Sequence, residues 1–188
     1  MSDRMALLII DVQSGIFSAF GPVYQSSAVL SRIKSLISRA RSSSTPIIYI
    51  QHCSAPGGAL EHGTPGWQIH PDVAPLPGEP VILKHAPDGF QGTTLQKKLK
   101  SLGVKKVIIT GLQTEFCVDT TCRRASSLGY KVVLAADAHS TFDSEKLSAS
   151  EIVEHHNNLL GTWFVELKKT SEIAFETAGP SKPGLRKR

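Results

Sequence analysis

The stretch Val107-Ile-Ile-Thr110-Gly-Leu-Gln-Thr-Glu-Phe-Cys117-Val118 passes from a short apolar run, through a glycine turn, into a helical pattern that Gly129 stops. A continuous rather than alternating apolar run suits a strand buried on both faces, and a helix starting one turn later suits a crossover unit. The same reading repeats outward along the chain. Met5–Ile10, Pro46–Ile50, Pro80–Leu83 and Val132–Ala136 are further strand candidates. Val29, Leu30, Ile33, Leu36, Ile37 and Ala40 form one stripe at helical spacing, with Ser26 and Ser27 as N-cap candidates. Leu95–Leu102 is a helix ending at Gly103, Cys117–Leu128 one ending at Gly129, and Ser148–Leu160 one ending at Gly161. Strands alternating with helices predict right-handed crossovers and an α/β chain, a three-layer α/β/α sandwich with a central, mainly parallel sheet.

The 188 residues carry 21 Lys+Arg against 16 Asp+Glu, a formal +5, with 40% hydrophobic residues and three cysteines. That content excludes a disordered chain, and no apolar run approaches the roughly 20 residues of a membrane span. Met1-Ser-Asp-Arg leads straight into a strand, with no signal sequence in view, so a cytoplasmic protein is expected. Residues 177–188 hold four bases and no acid, leaving 17 bases against 16 acids in the rest. The reading is a single domain over 1–176 and a flexible basic tail over 177–188, the prolines and glycines there opposing a helix. A basic tail can touch phosphates, but the body lacks the interleaved aromatic and basic residues of a nucleic-acid binder. The segment from Ser54 to Glu79, with five prolines and five glycines, is too long for an idle connection and reads as a lid or binding loop.

Ligands of open parallel sheets bind beyond the carboxyl ends of the strands. The residues ending the runs are Asp11, Gln51 with His52, Lys84, the turn after Thr110, and Asp137. Cys117 opens a helix after that turn, where the helix N-terminus and a nearby Lys84 ammonium favour a thiolate, and Asp11 could take its proton. Each residue also has a plain reading: Asp11 a loop or cap residue, Lys84 a snorkelling surface lysine, Cys117 a small core side chain. Convergence requires the strands to be neighbours. Cys122 shares a helical stripe with Val118 and Ala125 and reads as core, while Cys53 reads as inert; no zinc spacing and no disulfide is expected.

At these residues the sequence resembles the isochorismatase-like cysteine hydrolase superfamily. Ala6-Leu-Leu-Ile-Ile-Asp11-Val-Gln13 resembles its opening strand, and Val81-Ile-Leu-Lys84 with Phe90, Thr93 and Leu95 its lysine strand. Gly111-Leu-Gln-Thr114-Glu-Phe-Cys117-Val118 resembles its nucleophile turn, followed by Gly129-Tyr130, Ala136-Asp137-Ala138 and His156-Asn157. The resemblance spans roughly residues 5–165. It implies a triad of Cys117 as nucleophile, Asp11 as general base and Lys84 as electrostatic partner. It also implies hydrolysis of a C–N bond in a small amide or ureide, through a thioester. The backbone N–H groups of Gln113 and Cys117 would form the oxyanion hole, beside a cis peptide at Leu112–Gln113. Relatives are usually homo-oligomers, so a dimer or tetramer is expected.

Departures narrow the branch. Nicotinamidases of this superfamily place Asp-x-His after the second strand, where this chain has Gln51-His52-Cys53. His62 and His70 are scattered without a carboxylate, and His155 and His156 are adjacent on a helix and so diverge, so no metal and no cofactor is expected. Cys117 itself argues against the branch acting on isochorismate, a vinyl ether that needs no thiol. Gln13, Phe17, Trp67 and Thr114 are candidate substrate contacts, with packing roles as alternatives, and Phe20 could also border substrate. A fold-retaining binding protein is the remaining alternative, against which stand the intact Asp11, Lys84 and Cys117.

Overall fold

The computed structural model describes residues 3–175. The expected basic tail therefore lies outside the described residues. Six strands, β1 (Met5–Ile10), β2 (Ile47–His52), β3 (Val81–Lys84), β4 (Lys106–Leu112), β5 (Lys131–Ser140) and β6 (Glu166–Lys168), form one sheet in the order β3-β2-β1-β4-β5-β6. All five pairings are parallel. Successive side chains of β1 point to opposite faces: Leu7 and Ile9 join a core with Ile33, Leu36 and Ile37 of α2 (Ser26–Ser42), while Ala6, Leu8 and Ile10 join one with Leu95 and Leu99 of α3 (Leu95–Ser101). The second core also takes Cys122 and Ala125 of α4 (Asp119–Ser127) and Leu160 of α5 (Ala149–Trp163). The expected three-layer sandwich is the observed one.

Several elements differ from the expectation for identifiable reasons. The six-residue helix α1 (Ser14–Ala19), directly behind β1, is too short to show a stripe. The α2 helix starts at Ser26 itself behind Gln25, which adopts a left-handed φ of 49°, so neither serine serves as a side-chain cap. Ser148 caps α5 with a reciprocal bond to Glu151, but Gly161 lies inside that helix because a Cβ there would sit 2.6 Å from Leu167 Cδ1 on β6. Strand β6 was not anticipated, being only Glu-Leu-Lys. Strand β3 is at the sheet edge and alternates exposed Val81 and Leu83 with buried Ile82 and Lys84, so it is not buried on both faces. The β5 strand runs on past Ala136 to Ser140, and Asp137 within it binds Arg32 and Thr170 rather than terminating a strand at the site.

The order in which strands are added reverses between β1 and β4, the crevice where α/β ligands bind. Gly111 makes the approach of these two strands possible. Its φ is +125°, and a Cβ there would lie 2.0 Å from the Ile10 carbonyl oxygen, backbone that cannot swing aside. Gly111→Ala adds a steric clash to a left-handed penalty and is expected to lower stability by about 3 kcal/mol, or roughly 6–12 °C in melting temperature. Gly129→Ala, which shares the positive φ but meets nothing within 4 Å, is the control and loses about 1 kcal/mol. Equal melting temperatures for the two variants would refute the close approach.

Candidate active site

Asp11 leaves β1 in a left-handed conformation, φ 49°, with its N–H bonded to the Ile50 carbonyl at 2.9 Å. Asp is among the few side chains that tolerate this region, and such backbone strain gathers at functional sites. Lys84, at the end of β3, reaches across the end of β2. Its Nζ lies 2.7 Å from Asp11 Oδ2 and donates to Cys117 Sγ at 3.1 Å and to the Ala86 carbonyl at 3.1 Å. With 1% exposure Lys84 is not a snorkelling surface residue. Cys117 sits in a π-helical turn, Thr114–Val118, between β4 and α4, and is partly exposed. The structure thus brings the three residues together from β1, β3 and the β4–α4 turn. Cys122 is buried in the core, and Cys53 is buried with its sulfur 3.2 Å from Trp67 Nε1.

Burial raises the Asp11 pKa, against the pull of the Lys84 ammonium. For Lys84 burial acts to lower the pKa, but the charge of Asp11, helped by Cys117, outweighs it and the net shift is upward. Cys117 is pushed up to about 12, first by burial and then by the Asp11 charge, with Lys84 opposing. Cys117 therefore rests as a thiol, not the thiolate expected from helix position and Lys84 alone. Asp11 Oδ1 is buried with no hydrogen-bond partner among the described residues, so the carboxylate keeps one oxygen free while Oδ2 holds Lys84. The Leu112–Gln113 peptide is cis. The Gln113 N–H finds no acceptor among the described residues, and that of Cys117 finds none outside its own turn.

A cavity of about 420 Å³ opens over Asp11 and Cys117. Its apolar walls include Ile16, Phe20, Leu60 and Pro87, and His52, Ser54 and Gln113 add polar edges. The long loop supplies one wall as the sequence suggests. It is bonded down through Ser14 N–H to the Gln68 carbonyl, Gly15 N–H to the Gly66 carbonyl and His70 N–H to the Val12 carbonyl. Of the candidate contacts, Phe20 lines the cavity, whereas Gln13, Phe17, Trp67 and Thr114 do not. The Gln13 amide is engaged by backbone, donating to the carbonyls of His52 and Trp67 and accepting from His52 N–H. Trp67 packs on the His62 ring and Phe17 on the His70 ring, which also places both loop histidines against aromatics. Sequence reading noted His52 only as a strand end; a long polar residue ending a strand beside Lys84 was the available signal.

Thr114 instead begins a buried polar chain beneath the nucleophile turn. Its hydroxyl lies 2.9 Å from His139 Nδ1, His139 Nε2 lies 3.0 Å from Asn157 Oδ1, and Asn157 Nδ2 donates to the Ala136 carbonyl at 3.0 Å. The neighbouring His156 binds Asp119 at 3.1 Å. Asn157 Oδ1 can only accept, so His139 carries its proton on Nε2 and receives the Thr114 hydroxyl proton at Nδ1. Burial lowers the His139 pKa to about 4 from the ordinary 6.5. Between these values the unfolded chain takes up a proton that the folded chain refuses, so this contribution is complete above about pH 6.5 and is lost as pH falls toward 4. The wild type is expected to lose about 2 kcal/mol more stability between pH 7 and pH 5 than His139→Gln, read from urea midpoints. Equal losses would show that His139 titrates normally.

The family model for the isochorismatase domain matches residues 5–158 of this chain. A streptothricin hydrolase of Streptomyces noursei is 40% identical over 138 residues, 73% of this chain and 50% of that protein, so the chain spans about half that relative's length. A secreted isochorismatase effector of Verticillium dahliae is 32% identical over 149 residues, covering 79% of this chain and 78% of that protein. The crystal structure of an isochorismatase from Pseudomonas putida superposes with a TM-score of 0.86 at 30% identity, over 90% of each chain. A domain match over most of the chain, on the three-layer α/β fold that the sequence predicts, settles its kinship: the chain belongs to the isochorismatase family.

Proposed function

We propose that the chain hydrolyses a C–N bond of a small amide or ureide by covalent catalysis at Cys117. The supporting observation is the meeting of Cys117 Sγ, Lys84 Nζ and Asp11, with Cys117 and Asp11 lining one cavity. The resting state is thiol, carboxylate and ammonium. Asp11 takes the thiol proton on its free Oδ1 as sulfur attacks the substrate carbonyl, and the developing oxyanion lies against the N–H groups of Gln113 and Cys117. As the tetrahedral adduct collapses, the C–N bond breaks and Asp11 returns the proton to the leaving nitrogen. Water then loses a proton to Asp11 as it attacks the thioester. The C–S bond breaks and sulfur recovers that proton, leaving a carboxylic acid, or a carbamic acid from a ureide. Lys84 stays protonated throughout and limits the charge left on sulfur. Both half-reactions need one base that can also act as an acid, and the raised pKa of Asp11 suits that double duty.

A panel of small primary amides and ureides assayed for ammonia release tests this. Cys117→Ala is expected to abolish release and Asp11→Asn to lower kcat by about 10²–10⁴-fold, both with an unchanged circular dichroism spectrum. Because Asp11 must be ionised and its pKa is raised above 3.8, the acid limb of kcat/KM should fall above pH 4. Undiminished turnover by Cys117→Ala would overturn the reading.

A further inference from the structure

His52 has a second consequence that the proposed proton transfers do not use. Its Nδ1 lies 3.3 Å from Lys84 Nζ. Three closer acceptors, on Asp11, Cys117 and Ala86, match the three ammonium protons, but a positive charge at this distance repels an N–H and favours a lone pair, so Nδ1 is unprotonated and the ring proton sits on Nε2. Burial, then Lys84, lowers the His52 pKa, which keeps the ring neutral. No group among the described residues accepts from Nε2–H, and that atom is not among the buried unpartnered ones, while the ring itself lines the cavity. The residue is also held in place. Gln13 clamps its backbone from both sides, accepting from the N–H and donating to the carbonyl, each at 2.9 Å.

Such a ring can neither take a proton at Nε2, which already carries one, nor gain one at Nδ1, which faces an ammonium. What it can do is donate one hydrogen bond. The charge around it is balanced as well: Asp11 is the one carboxylate lining the cavity and Lys84 already pairs with it. A carboxylate or ammonium carried in by a substrate would be buried without a counter-charge.

We infer that His52 is a substrate-binding donor that selects uncharged amides bearing a second, neutral acceptor such as an ether, carbonyl or ring nitrogen. This rests on the hydrolase reading above and adds the class of substrate to it. Gln13 is then a positioning residue, acting through His52.

Three isosteric pairs place an ether oxygen or a methylene at increasing distance from the amide: methoxyacetamide with butanamide, 3-methoxypropanamide with pentanamide, and 4-methoxybutanamide with hexanamide. In the wild type at least one ether is expected to exceed its partner tenfold or more in kcat/KM, since a site built around a hydrogen bond rejects the analogue lacking it. His52→Phe should bring that ratio near one, and His52→Gln, which retains a donor, should restore part of it. Succinamate, with its carboxylate, should be turned over at least tenfold more slowly than butanamide. No ether preference in the wild type, or a preference that survives in His52→Phe, would overturn the assignment while leaving the hydrolase reading intact. Absence of turnover for every amide would instead defeat the hydrolase reading. The tautomer is read independently by ¹⁵N NMR of the wild-type imidazole, where a neutral Nε2–H ring from pH 7 to 9 is expected; an Nδ1–H ring in that range would refute the donor.

Discussion

The ion pair between Asp11 and Lys84 is the constraint around which the rest of the site is arranged. Two buried charges lose their hydration, and the effective penalty of several kcal/mol per ion is offset only by close contact and further hydrogen bonds. Here the contact is 2.7 Å, and the ammonium also donates to Cys117 and Ala86. Removing either partner would strand a charge, so the pair is better understood as a fixed requirement than as a source of stability. It dictates strand order. Lys84 reaches Asp11 because only β2 separates their strands, and Cys117 is in range because β4 is the other neighbour of β1. It dictates alternation too, since the inward position on the edge strand β3 is the one that hides a lysine beside Ile82.

The turn that carries Cys117 needs a rigid seat if its backbone N–H groups are to serve the proposed chemistry, because their contribution would depend on where they point. That seat is made mainly of uncharged polar groups. Thr114, a neutral His139 and Asn157 link the turn to β5 and α5, and the Thr141 hydroxyl binds Glu115 at 2.7 Å from the same side. The ionic contact of Asp119 with Arg123, and the Asp119–His156 hydrogen bond, lie further along at the start of α4. A cation beneath Thr114 would have added a second positive field to a thiol already 3.1 Å from an ammonium. A neutral histidine provides the hydrogen bonds without the field.

What the sequence disclosed followed from how local each signal was. Apolar runs marked β1, β2, β4 and β5 because strands buried inside a parallel sheet must be apolar on both faces, and the edge strand β3 was marked by apolar residues that it leaves exposed. The three-residue β6 escaped because so short a segment has no period. Asp11, Lys84 and Cys117 could be singled out by their place at strand ends, yet their meeting depended on a strand order that no local pattern encodes. The walls of the cavity were the least legible. Gln13, Phe17, Trp67 and Thr114 looked like contacts by proximity in sequence, but each faces a backbone or a ring that only the folded loop brings near. Lys84, read locally, was as good a surface residue as a buried one.

The protonation state of Cys117 shows how far a local rule carries. A cysteine at the start of a helix beside a lysine ordinarily has a depressed pKa. Two circumstances reverse that here. The Lys84 charge is already balanced by Asp11, so the thiolate would add a net negative charge to a buried site, and the turn holding Cys117 is a π-helical one of five residues rather than a full helix. Burial then decides, and the thiol stays protonated up to about 12. A protonated thiol reacts poorly with oxidants and stray electrophiles, so in the proposed mechanism reactivity is withheld until a substrate carbonyl lies against sulfur and Asp11 can take the proton as the bond forms. In that arrangement the base has to be the group whose pKa burial has raised, and the lysine has to remain charged. In the proposed mechanism the same burial that keeps the cysteine a thiol fits Asp11 for the proton, and a site with no spare charge is one that would favour neutral substrates.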